Sequence, residues 1–343
     1  MRALVLEKYK HLEIQERPVP ECGPNDVVIR VKACAICGSD VRGFDGSSGR
    51  RIPPIVMGHE AAGEVTDVGE TVARFKPGDR VTFDSTIYCG KCSFCRAGQM
   101  NLCDNRVVLG VSCEDYRRDG AFAEYVAVPE HIVYPLPDEL SFQHASLVEP
   151  VSVALHAVSR ASIRLNDSAV VIGAGTIGLL AIQALRLSGC GRVVAVDIND
   201  GRLRLAQQLG ATHIIDAAHE PAVEVLLSIT EGKGADIVLE AVGADDTVGT
   251  SMACVRKGGT VILVGNVTPN VTFPLQVAVT REITVLGSCA IAGEYPAAID
   301  MLSRDEIIVD PLISAKAPLE EGPEWFQRLY DREPGLLKVV LCP

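Results

Sequence analysis

Hydrophobic and polar positions fall into two successive textures along the chain. Up to about residue 150 the apolar runs are short and separated by turns. Residues 27–33, 61–68, 80–84 and 123–128 read as strands, with Pro77-Gly78-Asp79 and Asp119-Gly120 among the turns between them. No sustained helical period occurs before about Phe142, which predicts a mostly β module. From about Ser168 strand and helix alternate. Residues 169–172 are an apolar run expected to be buried on both faces, followed by a helical pattern over 176–187. Strand 192–197, helix 200–209 ending at Gly210, strand 213–215 and helix 220–229 come next, then strand 236–240, helix 246–255 and strand 260–265. Residues 283–287 supply a sixth strand. Repeated βα units of this length predict right-handed crossovers and a parallel sheet with helices on both faces. Beyond about residue 289 the period weakens, and 338–341 reads as one more short strand.

Composition narrows the class. The 343 residues carry 32 Lys and Arg against 44 Asp and Glu, a formal charge of −12. Length alone suggests two domains of about 150 residues each, and a hydrophobic fraction of 48% excludes a disordered or fibrous chain. The acidic balance argues against nucleic acid or an anionic membrane as partner, because phosphates call for clustered Lys and Arg. The apolar start, Ala3 to Leu6, is too short for a signal-peptide core. The longest apolar stretch, 169–182, is interrupted by Gly173, Gly175, Thr176 and Gly178 and falls short of the ~20 residues of a membrane span. A soluble, cytoplasmic protein is expected. In that setting twelve cysteines point to metal binding or free thiols before disulfides.

Three constellations carry chemistry. Cys89-x2-Cys92-x2-Cys95-x7-Cys103 places four thiols within fifteen residues, a spacing that closes around one tetrahedral zinc with no open position. Buried free thiols or an iron–sulfur cluster are the alternatives for such spacing. Only Lys91 and Arg96 are basic inside the segment, which disfavours a nucleic-acid-binding zinc module. The second constellation, Gly173-Ala174-Gly175-Thr176-Ile177-Gly178, follows an expected strand and opens an expected helix. That context suits the pyrophosphate of a dinucleotide, whereas the bare pattern is also a glycine-rich turn of other α/β folds. Asp197 stands 19 residues after Gly178 at the end of the next strand, where a carboxylate accepts from an adenosine ribose and repels a 2′-phosphate, so NAD is favoured over NADP. The third comprises Cys37-Gly-Ser39-Asp40 and Gly58-His59-Glu60. Each alone is bland, a thiol beside Cys34 or a core histidine. Together a thiolate, an imidazole and a carboxylate suit a catalytic zinc. Glu149 adds a carboxylate in an apolar stretch where such a group needs a partner.

On these residues, with Lys76-Pro-Gly-Asp-Arg-Val81 and Glu149-Pro150, the chain resembles the medium-chain, zinc-containing alcohol and polyol dehydrogenases over nearly its whole length. The resemblance implies an α/β protein with a mostly β second domain. Residues 1–150 would be a GroES-like catalytic domain with a structural-zinc lobe at about 85–110, residues 151–288 a Rossmann NAD-binding domain, and 289–343 a return to the catalytic domain, with an active cleft at the junction. It implies Cys37 and His59 as catalytic-zinc ligands, Glu60 beside or behind the metal, and Glu149 where alcohol dehydrogenases have a third-ligand Cys. Ser39 matches the hydroxyl that meets the substrate alcohol, and Arg202 a position near the adenosine. Val264, Gly265 and Ser288 match positions lining the nicotinamide. The expected reaction is NAD-dependent oxidation of a secondary alcohol to a ketone, with one catalytic and one structural Zn²⁺ per chain. The expected partners are a small-molecule alcohol and further copies of the chain, a tetramer before a dimer.

Glu149 in its Glu-Pro-Val-Ser-Val-Ala-Leu-His context points to the polyol branch. Sugar-alcohol-phosphate (galactitol-1-phosphate-like) and L-threonine 3-dehydrogenases are the enzymatic alternatives, although the Gly-Asn pair of the latter is missing after Glu149-Pro150. An NAD-binding structural or redox-responsive protein is the non-enzymatic one. Two departures stand out. Arg42 occupies the place of a proton-relay His, and Ala290-Ile291 the place of the Arg-Tyr pair of sorbitol dehydrogenases. The run Gly49-Arg50-Arg51 reads as a solvated loop, or with Arg42 as a phosphate grip.

Overall fold

The short apolar runs of the first texture pair into one seven-stranded sheet. A computed structural model describes residues 1–343, which divide into one unit of residues 1–149 with 291–343 and another of residues 150–290. In the first unit the sheet runs in the order Val133–Pro135, Arg80–Phe83, Glu60–Val68, Asp26–Ala35, Lys338–Cys342, Ile313–Pro318, and Tyr125–Pro129 also pairs with Asp26–Ala35. The C-terminal strand lies antiparallel to Asp26–Ala35, with Val340 opposite Ala35 and Leu341 opposite Cys34. A smaller sheet of His11–Glu16, Arg2–Lys8 and Ile55–Val56 packs Leu4 and Leu6 into the core with Ile29, Phe83, Phe122 and Phe326. Removing these side chains from water supplies the main stabilising term of the unit.

One register positions the chemistry. Glu60 faces Ala35 across the antiparallel pair of Asp26–Ala35 and Glu60–Val68. Cys37 therefore leaves one strand at the same end at which His59 enters the other. Residues Gly38–Phe44 then form a short helix, contrary to the expectation of no helix before Phe142. Seven residues are too few to show a period. The helix rests instead on its cap, where Cys37 Sγ accepts from Ser39 N at 3.5 Å and Asp40 Oδ2 accepts from Cys37 N at 3.2 Å. The tail beyond residue 289 also holds more than its weak period indicated, including helices Tyr295–Ser303 and Gly322–Tyr330.

The second unit is a six-stranded parallel sheet in the order His213–Asp216, Arg192–Asp197, Ser168–Ile172, Ala235–Glu240, Val255–Leu263, Thr284–Gly287. Ala169 to Ile172 are all buried, as a central strand covered on both faces requires. The helix over Thr176–Leu187 and the strand over Arg192–Asp197 coincide with the sequence pattern, while the strand expected from 260 already begins at Val255. No helix of the chain is long and apolar enough to cross a membrane.

Candidate functional site

Cys37, His59 and Glu60 each offer a ligand atom, and these atoms lie within 4.8 Å of one another. His59 is buried, and its Nδ1 sits 3.4 Å from Oδ1 of the fully buried Asp40. A carboxylate behind one ring nitrogen leaves Nε2 for a metal, the usual arrangement of a metal-ligating histidine. Burial works against the charge of both partners. Even so, His59 and then Arg51 hold the Asp40 carboxyl far below the usual carboxylate range, while Asp40 and then Cys37 raise His59 well above an ordinary imidazole. Three donors of opposed softness, one resting on a buried anion, fit a divalent cation such as zinc.

Behind this triad the structure adds a group absent from the sequence reading. Lys338, at the head of the C-terminal strand, is buried with its Nζ 2.7 Å from Glu60 Oε1, 2.6 Å from Glu60 Oε2 and 3.1 Å from the carbonyl of Ile36. The ammonium neutralises a carboxylate that is itself only 1% exposed. Glu149 lies outside the 4.8 Å neighbourhood of the triad. It stands in the first turn of helix Val148–Ser159 and accepts from Ser85 Oγ at 3.2 Å. Burial, with the nearby charge of Glu60 adding to it against the pull of His59, lifts its carboxyl to about 7. Ser39 is exposed, and its Oγ accepts from Arg51 Nη2 at 3.3 Å.

The four thiols of Cys89, Cys92, Cys95 and Cys103 also converge within 4.8 Å. Sγ of Cys103 accepts from the amides of Cys89 and Asn105, and Sγ of Cys92 from that of Cys95. The amides of Lys91 and Cys92 pull the Cys89 thiol down to about 6, whereas burial and then the neighbouring Cys92 push Cys95 up to about 12. Such a set cannot hold four negative charges unaided. A dication resolves that conflict, and the donor set fits zinc.

In the second unit the remaining predicted residues gather at the carboxyl ends of parallel strands, where open α/β sheets bind ligands. Gly173 follows Ser168–Ile172 with φ of +94°, and a Cβ on Gly178 would lie 1.8 Å from the Gly173 carbonyl, so helix and turn meet only because residue 178 has no side chain. A Cβ on Gly175 would meet nothing within 4 Å, which leaves open space over the start of helix Thr176–Leu187. Ile177 lies in the first turn of that helix. Asp197 Oδ2 accepts from Ala174 N at 2.6 Å and Oδ1 from Asn199 N at 2.9 Å, tying the acid to the glycine turn. Arg202 lies in helix Asp200–Gln208, its amide capped by Asn199. The amides of Val264 and Gly265 both donate to the Glu240 carbonyl, and Ser288 N to that of Leu263. Ser288 Oγ and Glu240 Oε2 are buried without a hydrogen-bond partner. Orphaned polar atoms beside an open, strand-end cradle fit a polar cofactor.

The chain was also compared with known proteins. Residues 23–138 match the model of the alcohol dehydrogenase GroES-like domain, and residues 176–304 that of the zinc-binding dehydrogenases. The sorbitol dehydrogenase of Bacillus subtilis (strain 168) is 33% identical over 348 aligned positions, which cover 100% of this chain and 97% of that protein. The crystal structure of galactitol-1-phosphate dehydrogenase from Escherichia coli superposes with a TM-score of 0.92 at 28% identity, covering 100% of both chains. A zinc-binding dehydrogenase of Sinorhizobium meliloti 1021, solved with NADP bound, superposes with a TM-score of 0.91 at 32% identity over 100% of this chain and 99% of its own.

Proposed function

Because the chain belongs to the medium-chain, zinc-containing alcohol and polyol dehydrogenases, we propose that it oxidises a secondary hydroxyl of an unphosphorylated polyol to the ketone, with NAD as acceptor. It is an oxidoreductase with a GroES-like domain and a nicotinamide-binding parallel sheet. The convergence of Cys37, His59 and Glu60, with Asp40 behind the imidazole, carries the reading. Zinc, when bound there, supplies Lewis acidity toward a hydroxyl group, and the nicotinamide supplies the two-electron acceptor.

The side chains do the rest. Cys37 and His59 hold the metal, and Asp40 fixes the imidazole orientation. Lys338 balances Glu60, so the pocket wall keeps a carboxylate without an unpaired buried charge. Glu149 stays beside the site, its carboxyl held by the hydroxyl of Ser85. Ser39 takes the hydrogen bond of the reacting hydroxyl and, as it accepts that proton, gives up its own hydrogen to the solvent to which it is exposed. Cys89, Cys92, Cys95 and Cys103 would hold a second zinc, which with all four positions filled by protein would clamp the loop and leave no place for substrate.

Free polyols are favoured over their phosphates because Arg51, the second arginine of the run Gly49-Arg50-Arg51, is 4% exposed and bound to Asp40 and Ser39. That takes one of the three arginines, Arg42, Arg50 and Arg51, out of a phosphate grip. The test is a screen of NAD reduction with sorbitol, galactitol 1-phosphate and L-threonine at matched concentration, before and after 1,10-phenanthroline and after added Zn²⁺. Turnover of sorbitol that chelation removes and zinc restores is the expected result. Turnover of the phosphate or the amino alcohol instead, or indifference to chelation, would overturn it.

Cofactor choice rests on Asp197. Its carboxylate, held by the amides of Ala174 and Asn199, is aimed where an adenosine ribose would lie and opposes a 2′-phosphate. In Asp197→Ala the ratio of kcat/KM for NAD over NADP is expected to fall by about tenfold or more, the size of a lost ribose hydrogen bond together with relieved repulsion. An unchanged ratio in steady-state assays would remove Asp197 from this role. The edge strand Thr284–Gly287 pairs on one side only, which supports edge-to-edge association of copies into a homo-oligomer.

A further inference from the structure

Arg51 is buried, and a guanidinium is a permanent donor with no acceptor. Its Nη2 lies 3.1 Å from Asp40 Oδ1 and 3.3 Å from Ser39 Oγ, and its Nη1 donates to the Arg50 carbonyl at 3.0 Å. The stem reaches this place along helix Gly38–Phe44 only because residue 43 is glycine. A Cβ there would lie 2.1 Å from Arg51 Cγ and 2.9 Å from Arg51 Cβ. Asp40 meanwhile touches His59 Nδ1 through the same oxygen that receives Arg51, and Cys37 N through the other. A single connected path therefore runs from His59 through Asp40 and Arg51 to Ser39.

We propose that Arg51 is a positioning residue of the active site, which fixes the Ser39 hydroxyl for the alcohol by donating to it and to Asp40 from one guanidinium nitrogen. The proposal rests on Ser39 meeting the substrate hydroxyl. The oxygen of a serine accepts two hydrogen bonds and donates one, and its hydrogen otherwise rotates freely. With one lone pair taken by a cationic donor, Ser39 retains one lone pair for the incoming hydroxyl and a hydrogen that must point away from Arg51. The same cationic donor makes the hydrogen of Ser39 easier to release, as befits a group that passes a proton on. Arg51 acts from beneath, without touching substrate. Lysine at residue 51 would keep a positive charge beside Asp40 but lose the planar fork that reaches a second acceptor.

The test is a double-mutant cycle on NAD reduction by the alcohol turned over fastest in the screen, with metal content and thermal unfolding measured on every variant. Ser39→Ala is expected to lower kcat by about a hundredfold or more, as loss of a proton acceptor does. Arg51→Lys is expected to lower kcat by about tenfold, one charge-assisted hydrogen bond, with KM within about twofold, full metal content and parental unfolding temperature. In Ser39→Ala/Arg51→Lys the loss should equal that of Ser39→Ala alone within about twofold, because Arg51 has nothing left to position. Arg51→Met, which also strands Asp40, tests the same point if it folds, and Arg51→Lys decides if it does not. Multiplied losses in the double variant, a parental kcat for Arg51→Lys, or metal lost from Arg51→Lys would each overturn the proposal and make Arg51 a structural counter-ion. A parental kcat for Ser39→Ala would instead sink the reading of Ser39 itself and take the proposal with it.

Discussion

Replacing Cys37 by alanine lowers alcohol-dependent NAD reduction on the order of a thousandfold or more and leaves dinucleotide affinity within about twofold of the parent. The first number follows from the several kcal/mol that a Lewis acid contributes, at about 1.4 kcal/mol for each factor of ten. With the thiolate gone, His59 and Glu60 remain as donors, and Glu60 is already engaged by Lys338 at 2.6 Å. Two ligands, one of them neutralised by an ammonium, hold a divalent cation poorly. The second number follows from location, since Gly173, Gly175, Gly178 and Asp197 all belong to the unit of residues 150–290 and Cys37 does not. Cys37 also caps helix Gly38–Phe44, so alanine removes a cap along with a ligand, and Cys37→Ser separates the two effects. Serine restores an acceptor for the amide of residue 39 but not the soft sulfur. It is expected to recover thermal stability and not turnover. Fluorescence titration with NADH reads the affinity, and steady-state rates read the loss. Substantial turnover in Cys37→Ala would place the reaction away from this triad.

What the sequence disclosed and what it withheld divide along contact range. Helix Thr176–Leu187 and strand Arg192–Asp197 were legible because a buried central strand, a glycine turn and a long apolar helix each leave a local pattern. The four clustered cysteines were legible because their ligand spacing is itself local. Arg51 and Lys338 were not. The first sits in a polar run that reads as solvated loop, and only the glycine at residue 43, eight positions earlier, makes room for its stem. The second meets a partner 278 residues away, through the pairing of the C-terminal strand with Asp26–Ala35. Lysine is almost never buried unless paired, so composition pointed outward for both. The faint signal was the lone basic residue opening the apolar run Lys338-Val-Val-Leu341. Strand Arg2–Lys8 was missed for another reason, since an apolar run of only four residues does not by itself distinguish strand from other structure.

Cys95→Ser should cost the protein one metal ion per chain and about 3 kcal/mol of stability, roughly 6 to 12 °C in unfolding temperature for a unit of this size. Cys95 lies in the four-residue helix Ser93–Arg96, which buries no residue and takes its cap from Cys92 Sγ. A helix that short has no stability of its own. The segment between Cys89 and Cys103 is therefore ordered by what its sulfurs share, and a serine oxygen, smaller and harder than a thiolate, is a poor substitute. Metal analysis and calorimetry on the purified variant measure both quantities. The contrast with Cys37→Ala is the informative part. Each variant should lose one metal, but Cys95→Ser loses stability and keeps the turnover number of its folded fraction, whereas Cys37→Ala loses turnover. Unchanged metal content in Cys95→Ser would leave the four cysteines as free thiols and remove the clamp from this lobe. A loss of both metals together would mean that the lobe and the triad form one cooperative site, so that order near Ser85, which donates to Glu149, depends on the clamp.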